Sequence, residues 1–231
     1  MEGRISGYQS LGAVDGPGIR FVVFFQGCPL RCACCHNPET WNVDGGQSVS
    51  VEELMKKILR CRSYFGSEGG VTVSGGEPLL QPEFLAGLFS SCREQGIHTV
   101  LDTSGCRLNS AVEEVLKVTD LVLLDIKFTT EGEYRTYTGG SLSQTLCFLE
   151  RLEQKQVPTW IRQVVIPSLN DNRENIHRLK EIARTFHCIK RLELLPFRKL
   201  CLEKYDSMGL SFPLAHLPEC SLERVKELET W

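Results

Sequence analysis

The chain reads as an α/β protein with parallel strands, folded as a partial, open β/α barrel of about six units. Three observations predict it. Strand-like apolar runs alternate with helical patterns along the 231 residues. One of them, Leu121 to Ile126, is almost continuously apolar, as expected of a strand covered on both faces. The runs end in the same kind of word: Gln26-Gly27-Cys28, Ser74-Gly75-Gly76-Glu77, Asp102-Thr103-Ser104-Gly105, Asp125-Ile126-Lys127, Pro167-Ser168 and Pro196-Phe197-Arg198. Polar, flexible and charged residues at the C-terminal ends of parallel strands are what one pocket assembled from several loops requires. Six units are too few for a closed eight-unit barrel, and a doubly wound sheet is the alternative architecture.

The elements follow in order. Phe21 to Phe25 is a buried strand. Val51 to Tyr64 carries Leu54, Met55, Ile58 and Leu59 at helical spacing. Val71 to Val73 is a short strand, and Pro82 to Arg93 a helix with proline near its start. Ile97 to Leu101 is strand-like. Ser110 to Val118 is helical, with Ser110 and Glu113 fitting a capping box. After Leu121 to Ile126 come a helix at Ser141 to Gln154, a strand at Trp160 to Ile166, a helix at Asn172 to Phe186 and a strand at Ile189 to Leu195. Phe197 to Pro218 reads as a long loop over one end of the sheet, and a last helix runs from about Glu219 to Leu228. No repeat or linker divides the chain, so residues 1–231 are expected to form one domain.

Composition narrows the function. Lys+Arg 26 against Asp+Glu 29 gives a formal charge of −3, which argues against a nucleic-acid binder. No apolar run approaches the ~20 residues of a membrane span, and Met1 to Ser10 lacks the pattern of a secretory signal. A cytoplasmic protein is expected. In that compartment 11 cysteines are not a disulfide framework. Those at positions 61, 92, 106, 147, 188, 201 and 220 are scattered singly and read as packing residues. The remaining four crowd into Cys28-Pro29-Leu30-Arg31-Cys32-Ala33-Cys34-Cys35-His36.

Cys28, Cys32 and Cys35 are spaced Cys-x3-Cys-x2-Cys, and thiolates this close wrap a compact iron–sulfur cluster. Cys34 adjoins Cys35, and neighbours rarely reach two corners of one cube. Three ligands for four irons leave one iron open to substrate. A zinc site of Cys28, Cys32, Cys35 and His36 is the competing reading.

The Cys-x3-Cys-x2-Cys loop after the first barrel strand resembles that of radical S-adenosylmethionine enzymes. The words around it resemble the pyruvate formate-lyase activating enzymes within that superfamily. They are Asp15-Gly16-Pro17-Gly18-Ile19-Arg20-Phe21, Gly27-Cys28-Pro29-Leu30-Arg31-Cys32, Cys35-His36-Asn37-Pro38-Glu39-Thr40-Trp41 and Val73-Ser74-Gly75-Gly76-Glu77-Pro78. Leu101 to Gly105, Asp125-Ile126-Lys127, Trp160-Ile161-Arg162 and Leu194-Leu195-Pro196-Phe197 continue the likeness in order. Trp41 leads to Val51 without further cysteines, unlike activators that carry an inserted ferredoxin-like segment.

The resemblance implies a [4Fe-4S] cluster on Cys28, Cys32 and Cys35 whose open iron chelates S-adenosylmethionine. It implies reductive cleavage of that cofactor to a 5′-deoxyadenosyl radical, which takes hydrogen from a glycine of pyruvate formate-lyase. Cys34, Cys35 and His36 are expected at the adenine, Gly76 at the methionine amino group with Gly75 and Glu77 beside it in the cofactor site, and Lys127 at the methionine carboxylate. Asp102, Asp125 and Ile126 complete the cofactor site. Asp102, Thr103 and Asp125 are expected around a small monovalent cation. Arg198 stands where the family usually has His, and is carried as a ribose or carboxylate contact only. Asp15 is expected to accept hydrogen bonds from the partner's peptide, and Arg162 either to reach the pocket or to pair inside the barrel. Flavodoxin or ferredoxin is implied as the electron donor, and the chain is expected to act as a monomer. A radical enzyme for another glycyl radical partner or for a small metabolite, and a plain electron carrier, are the alternatives.

Overall fold

The structure, a computed structural model, describes residues 1–231. Its sheet begins with β1 (Glu2–Gly12), β2 (Arg20–Phe25) and β3 (Gln47–Ser50). It continues through β4 (Gly70–Gly75), β5 (His98–Thr103), β6 (Leu121–Asp125), β7 (Thr159–Val165) and β8 (Ile189–Pro196). The order is β3-β1-β2-β4-β5-β6-β7-β8. From β2 to β8 every neighbour is parallel, which gives the six expected strands. The sheet does not close, since β3 and β8 each pair on one side only.

β1 and β3 were not expected and add an antiparallel extension to β2. Helices α1 (Val51–Arg60), α2 (Pro82–Glu94), α3 (Ser110–Lys117), α5 (Leu142–Lys155), α6 (Arg173–Thr185) and α8 (Leu222–Thr230) occur where periodicity placed them, give or take a turn. Two more, α4 (Glu131–Thr138) and α7 (Leu202–Ser207), were not expected; α7 lies inside the segment read as a loop. The capping box foreseen at Ser110 is absent. Asn109 caps α3 by accepting from the Val112 amide. Glu113 is drawn instead to Arg151 and Lys155. The motif stands at α1, where Ser50 and Glu53 cap each other reciprocally.

Strand alternation sorts the residues onto two faces. Phe21, Val23, Phe25, Val71, Val73, Leu101, Val122, Leu124 and Ile161 face the helices and belong to the main apolar core. The other face lines the inside of the curved sheet. Val100, Leu121 and Leu123 form a separate small cluster there, with Trp160 against it. Arg20 is fully buried and anchors the preceding loop beneath this cluster. Its guanidinium donates to the carbonyls of Pro17, Glu68, Val71 and His98 and to the Thr72 hydroxyl. No helix is long and apolar enough to cross a membrane.

Candidate active site

Above the apolar layer, the C-terminal strand ends surround a cavity of about 290 Å³. The cysteine loop after β2 forms one wall, bringing Cys28, Cys32, Cys34, Cys35 and His36 to it. Gly75, Gly76 and Glu77 come from β4, Asp102, Thr103 and Ser104 from β5, Asp125 and Lys127 from β6, and Arg162 from β7. Asp15 reaches in from the loop before β2. Ile126 and Arg198 are not in the lining. Ile126 is fully buried among apolar residues, and the Arg198 side chain turns to Glu219, 3.4 Å away. Ser74, Asn37 and Leu195 also line the cavity. The strand-end rule that picked their neighbours applies equally to Ser74.

The glycine turn after β4 is set by close backbone approach. Gly75 has φ +102°, and a Cβ on Gly76 would lie 2.2 Å from the Gly27 carbonyl oxygen. The Gly76 amide donates to the Phe25 carbonyl and the Glu77 amide to that of Gly27. The turn is thus fastened to the root of the cysteine loop. Glu77 fastens it again on the other side. Its carboxylate accepts from the Thr103 hydroxyl at 2.6 Å, the Ser104 hydroxyl at 2.5 Å, and the amides of Ser104 and Leu79. Burial pushes this carboxyl up and the four donors oppose the shift. With its oxygens so engaged, Glu77 acts by joining two loops rather than by offering a free carboxylate to a ligand.

A charge ladder crosses the inside of the sheet. Arg162 Nη2 lies 2.5 Å from Asp102 Oδ1 and its Nε lies 3.3 Å from Asp125 Oδ1. Lys127 Nζ lies 2.6 Å from Asp125 Oδ2, and Ser74 donates to Asp102 Oδ2. Arg162 therefore both reaches the cavity and pairs inside the barrel. Burial disfavours the Asp125 charge, but Lys127 and Arg162 outweigh it and hold the carboxyl below its usual range. Asp102 is pushed up by burial, with Asp125 repelling it. Lys127 loses hydration too, yet Asp125 and the nearby thiols keep its ammonium firmly charged. Asp15 is raised by burial and by Asp102.

The four loop thiols are unbonded to each other. Burial raises Cys28 and Cys34 to about 11 and pushes Cys32 and Cys35 upward as well. Thiolates in such a place need a bound cation. No three Cys, His, Asp or Glu groups converge on a single ion. His36 Nε2 donates instead to the Arg198 carbonyl at 2.8 Å. The donor set does not suit the mononuclear zinc reading. Three spread thiols around one cavity suit a multi-iron cluster.

A family model described as a 4Fe-4S single cluster domain matches residues 14–147. The fold, over 91% of this chain and 62% of the other, is similar to that of a radical SAM methyltransferase from Sphaerobacter thermophilus, at TM-score 0.65 and 15% identity. Fold and cysteine loop thus define an iron–sulfur protein on an open parallel barrel. The pyruvate formate-lyase-activating enzyme of Clostridium pasteurianum is 48% identical over 99% of this chain and 96% of its own length. The pyruvate formate-lyase 1-activating enzyme of Escherichia coli (strain K12) is 44% identical over 97% and 94%. The chain belongs to the family of pyruvate formate-lyase-activating enzymes.

Proposed function

We propose that the chain activates pyruvate formate-lyase by generating a glycyl radical on it. The observation that carries this reading is the meeting of three cysteines, an Asp/Arg/Lys ladder and Asp15 in one cavity. Cys28, Cys32 and Cys35 would hold a [4Fe-4S] cluster. When bound, the cluster supplies the electron that cleaves S-adenosylmethionine to methionine and a 5′-deoxyadenosyl radical, which takes hydrogen from the partner's glycine.

The residues of the chain bind and orient. Four carboxyl groups line the cavity (Asp15, Glu77, Asp102 and Asp125) against two permanent cations, Lys127 and Arg162. That excess favours a ligand bearing positive charge, as the sulfonium and ammonium groups of S-adenosylmethionine do. Lys127 offers the one ammonium positioned to receive the ligand's carboxylate. The backbone at Gly75 and Gly76 approaches closely enough to accept from its amino group. The same negative excess supports a small monovalent cation at Asp102, Thr103 and Asp125. Asp15 faces the remaining space, where an extended peptide would be held by accepting its N–H groups. Flavodoxin or ferredoxin is the fitting electron donor, in the cytoplasm.

The test is anaerobic reconstitution with iron and sulfide, followed by reduction in the presence of S-adenosylmethionine and pyruvate formate-lyase. EPR is expected to show a glycyl radical on the partner. Cofactor cleavage without a radical on the partner would reject this partner.

A further inference from the structure

Helix α7 packs against the Pro38–Thr40 turn that follows the cysteine loop. Lys204 Nζ reaches Glu39 Oε1 at 2.5 Å and Asn37 Oδ1 at 2.8 Å. The next residue, Tyr205, is 1% exposed. Its ring meets Trp41 edge-on at 6.0 Å and Phe212 at 5.1 Å. Arg31 covers Trp41, 5.0 Å from the ring centroid. These contacts fix the ring, but they do not satisfy its hydroxyl. Tyr205 Oη is buried and has no hydrogen-bond partner among the protein atoms.

A buried donor without an acceptor costs free energy, and each such group calls for an explanation. Packing alone would be met by phenylalanine. Burial pushes the phenol up, and the titratable groups around it that add to the shift are the thiols of Cys35, Cys201, Cys34 and Cys32. Three of them belong to the cysteine loop, and two of those, Cys32 and Cys35, are cluster ligands in the reading above. Cys35 Sγ already accepts from the Asn37 amide at 3.4 Å, so this side of the loop donates to sulfur. Hydrogen bonds to cluster sulfurs favour the more negative, reduced state and raise the reduction potential.

We propose that Tyr205 is a positioning residue whose hydroxyl donates to a sulfur of the cluster-loaded loop and raises the cluster's reduction potential. The inference rests on the reading of Cys28, Cys32 and Cys35 as cluster ligands. It assigns the hydroxyl no part in cluster assembly or in folding, which the ring contacts secure.

The test compares Tyr205→Phe with the parent, both reconstituted as full-length chains. Iron and sulfide content is measured first. A parent chain that binds no four-iron cluster overturns the cluster reading itself. With both chains loaded, a redox titration followed by EPR is expected to show about a tenfold lower ratio of reduced to oxidised cluster in Tyr205→Phe at fixed ambient potential, a fall of about 59 mV for one electron. Pulsed EPR of the reduced cluster is expected to lose one exchangeable-proton coupling. An unchanged potential with an unchanged proton spectrum overturns the inference. So does a Tyr205→Phe chain that cannot hold four irons while the parent can, because the hydroxyl would then serve assembly.

Discussion

Arg162 reaches over strand β6 to pair with Asp102 on β5, with 2.5 Å between Nη2 and Oδ1. Two carboxylates and two cations thereby share one buried row, in which Lys127 and Arg162 flank Asp125 and Arg162 also meets Asp102. Removing a member of such a row leaves a charge without its partner, at a cost of about 3–5 kcal/mol. The row explains why a polar cavity persists above an apolar layer, and it sets the terms for what binds there.

The three cysteines separate from the fourth by substitution. Cys28→Ala, Cys32→Ala and Cys35→Ala are each expected to abolish the four-iron cluster, whereas Cys34→Ala retains it. Iron and acid-labile sulfide per chain, with the absorbance of the anaerobic protein, decide this. A Cys34→Ala chain without iron beside a loaded Cys32→Ala chain would reverse the ligand assignment.

Lys127→Ala and Asp102→Ala are expected to keep the cluster and weaken S-adenosylmethionine binding. A hydrogen bond to a charged group contributes roughly 1.5–3 kcal/mol, so the dissociation constant for Lys127→Ala rises about 10- to 100-fold. Anaerobic calorimetry measures it. Parental affinity in both variants would move the cofactor away from the ladder.

Asp15→Ala leaves iron content and cofactor affinity intact and slows radical formation on pyruvate formate-lyase. The loss of its acceptor from a bound peptide corresponds to roughly tenfold in rate. The rate is followed by EPR with the whole partner and with a short peptide of its glycine loop. Equal rates for variant and parent on both substrates remove Asp15 from the peptide site.

Two glycines make a contrasting pair. A Cβ on Gly76 would meet the Gly27 carbonyl oxygen at 2.2 Å and its carbon at 2.9 Å, backbone against backbone. Gly76→Ala is expected to lose about 1–3 kcal/mol. Gly132, within helix α4, has nothing within 4 Å of its Cβ position. Gly132→Ala is expected to gain about 0.5–1 kcal/mol from helix propensity. Urea unfolding of both variants is the check, and equal shifts would refute the close-approach argument.

Acid stability is expected to depend on Glu153, which lies outside the cavity. It accepts from the Cys188 amide at 2.7 Å, and this hydrogen bond holds its carboxyl at about 2 against an ordinary value of 4.5. The folded value lies below the unfolded one, so the stabilisation is complete above pH 4.5 and disappears as the pH falls toward 2. Glu153→Gln is expected to lower Tm at neutral pH, with its melting curve merging with the parent's across that interval. A constant gap from pH 5 to pH 2 would contradict this origin.

The six parallel strands and the residues at their ends were legible because burial on both faces leaves long apolar runs that stop abruptly at polar words. β1 was not, because Glu2–Gly12 alternates only in its first half and then exposes Tyr8 to Leu11. β3 has four residues at an edge, too few for a period. The Ser110–Glu113 word matched the one at Ser50–Glu53, yet Asn109 took the cap, since Glu113 gains more from Arg151 and Lys155 across to α5. Tertiary partners decided that contest, and a local pattern does not contain them. The same holds for Glu77, whose four donors come from two separate loops, and for α7, whose apolar Tyr205 has no periodic companions.

The Arg20 anchor has a consequence for traffic through the molecule. The loop it fastens lies below the ring of Val22 and Val100, with Gly16 close beneath the Val100 side chain. The open barrel is therefore a cup, not a tube. A polypeptide that descends along its axis meets a solid bottom and has to come back out on the side it entered. Only the tip of a doubled-back segment reaches the depth of Asp102 and Arg162 by that route, whereas an extended segment has to lie across the mouth or enter along the unclosed side between β3 and β8.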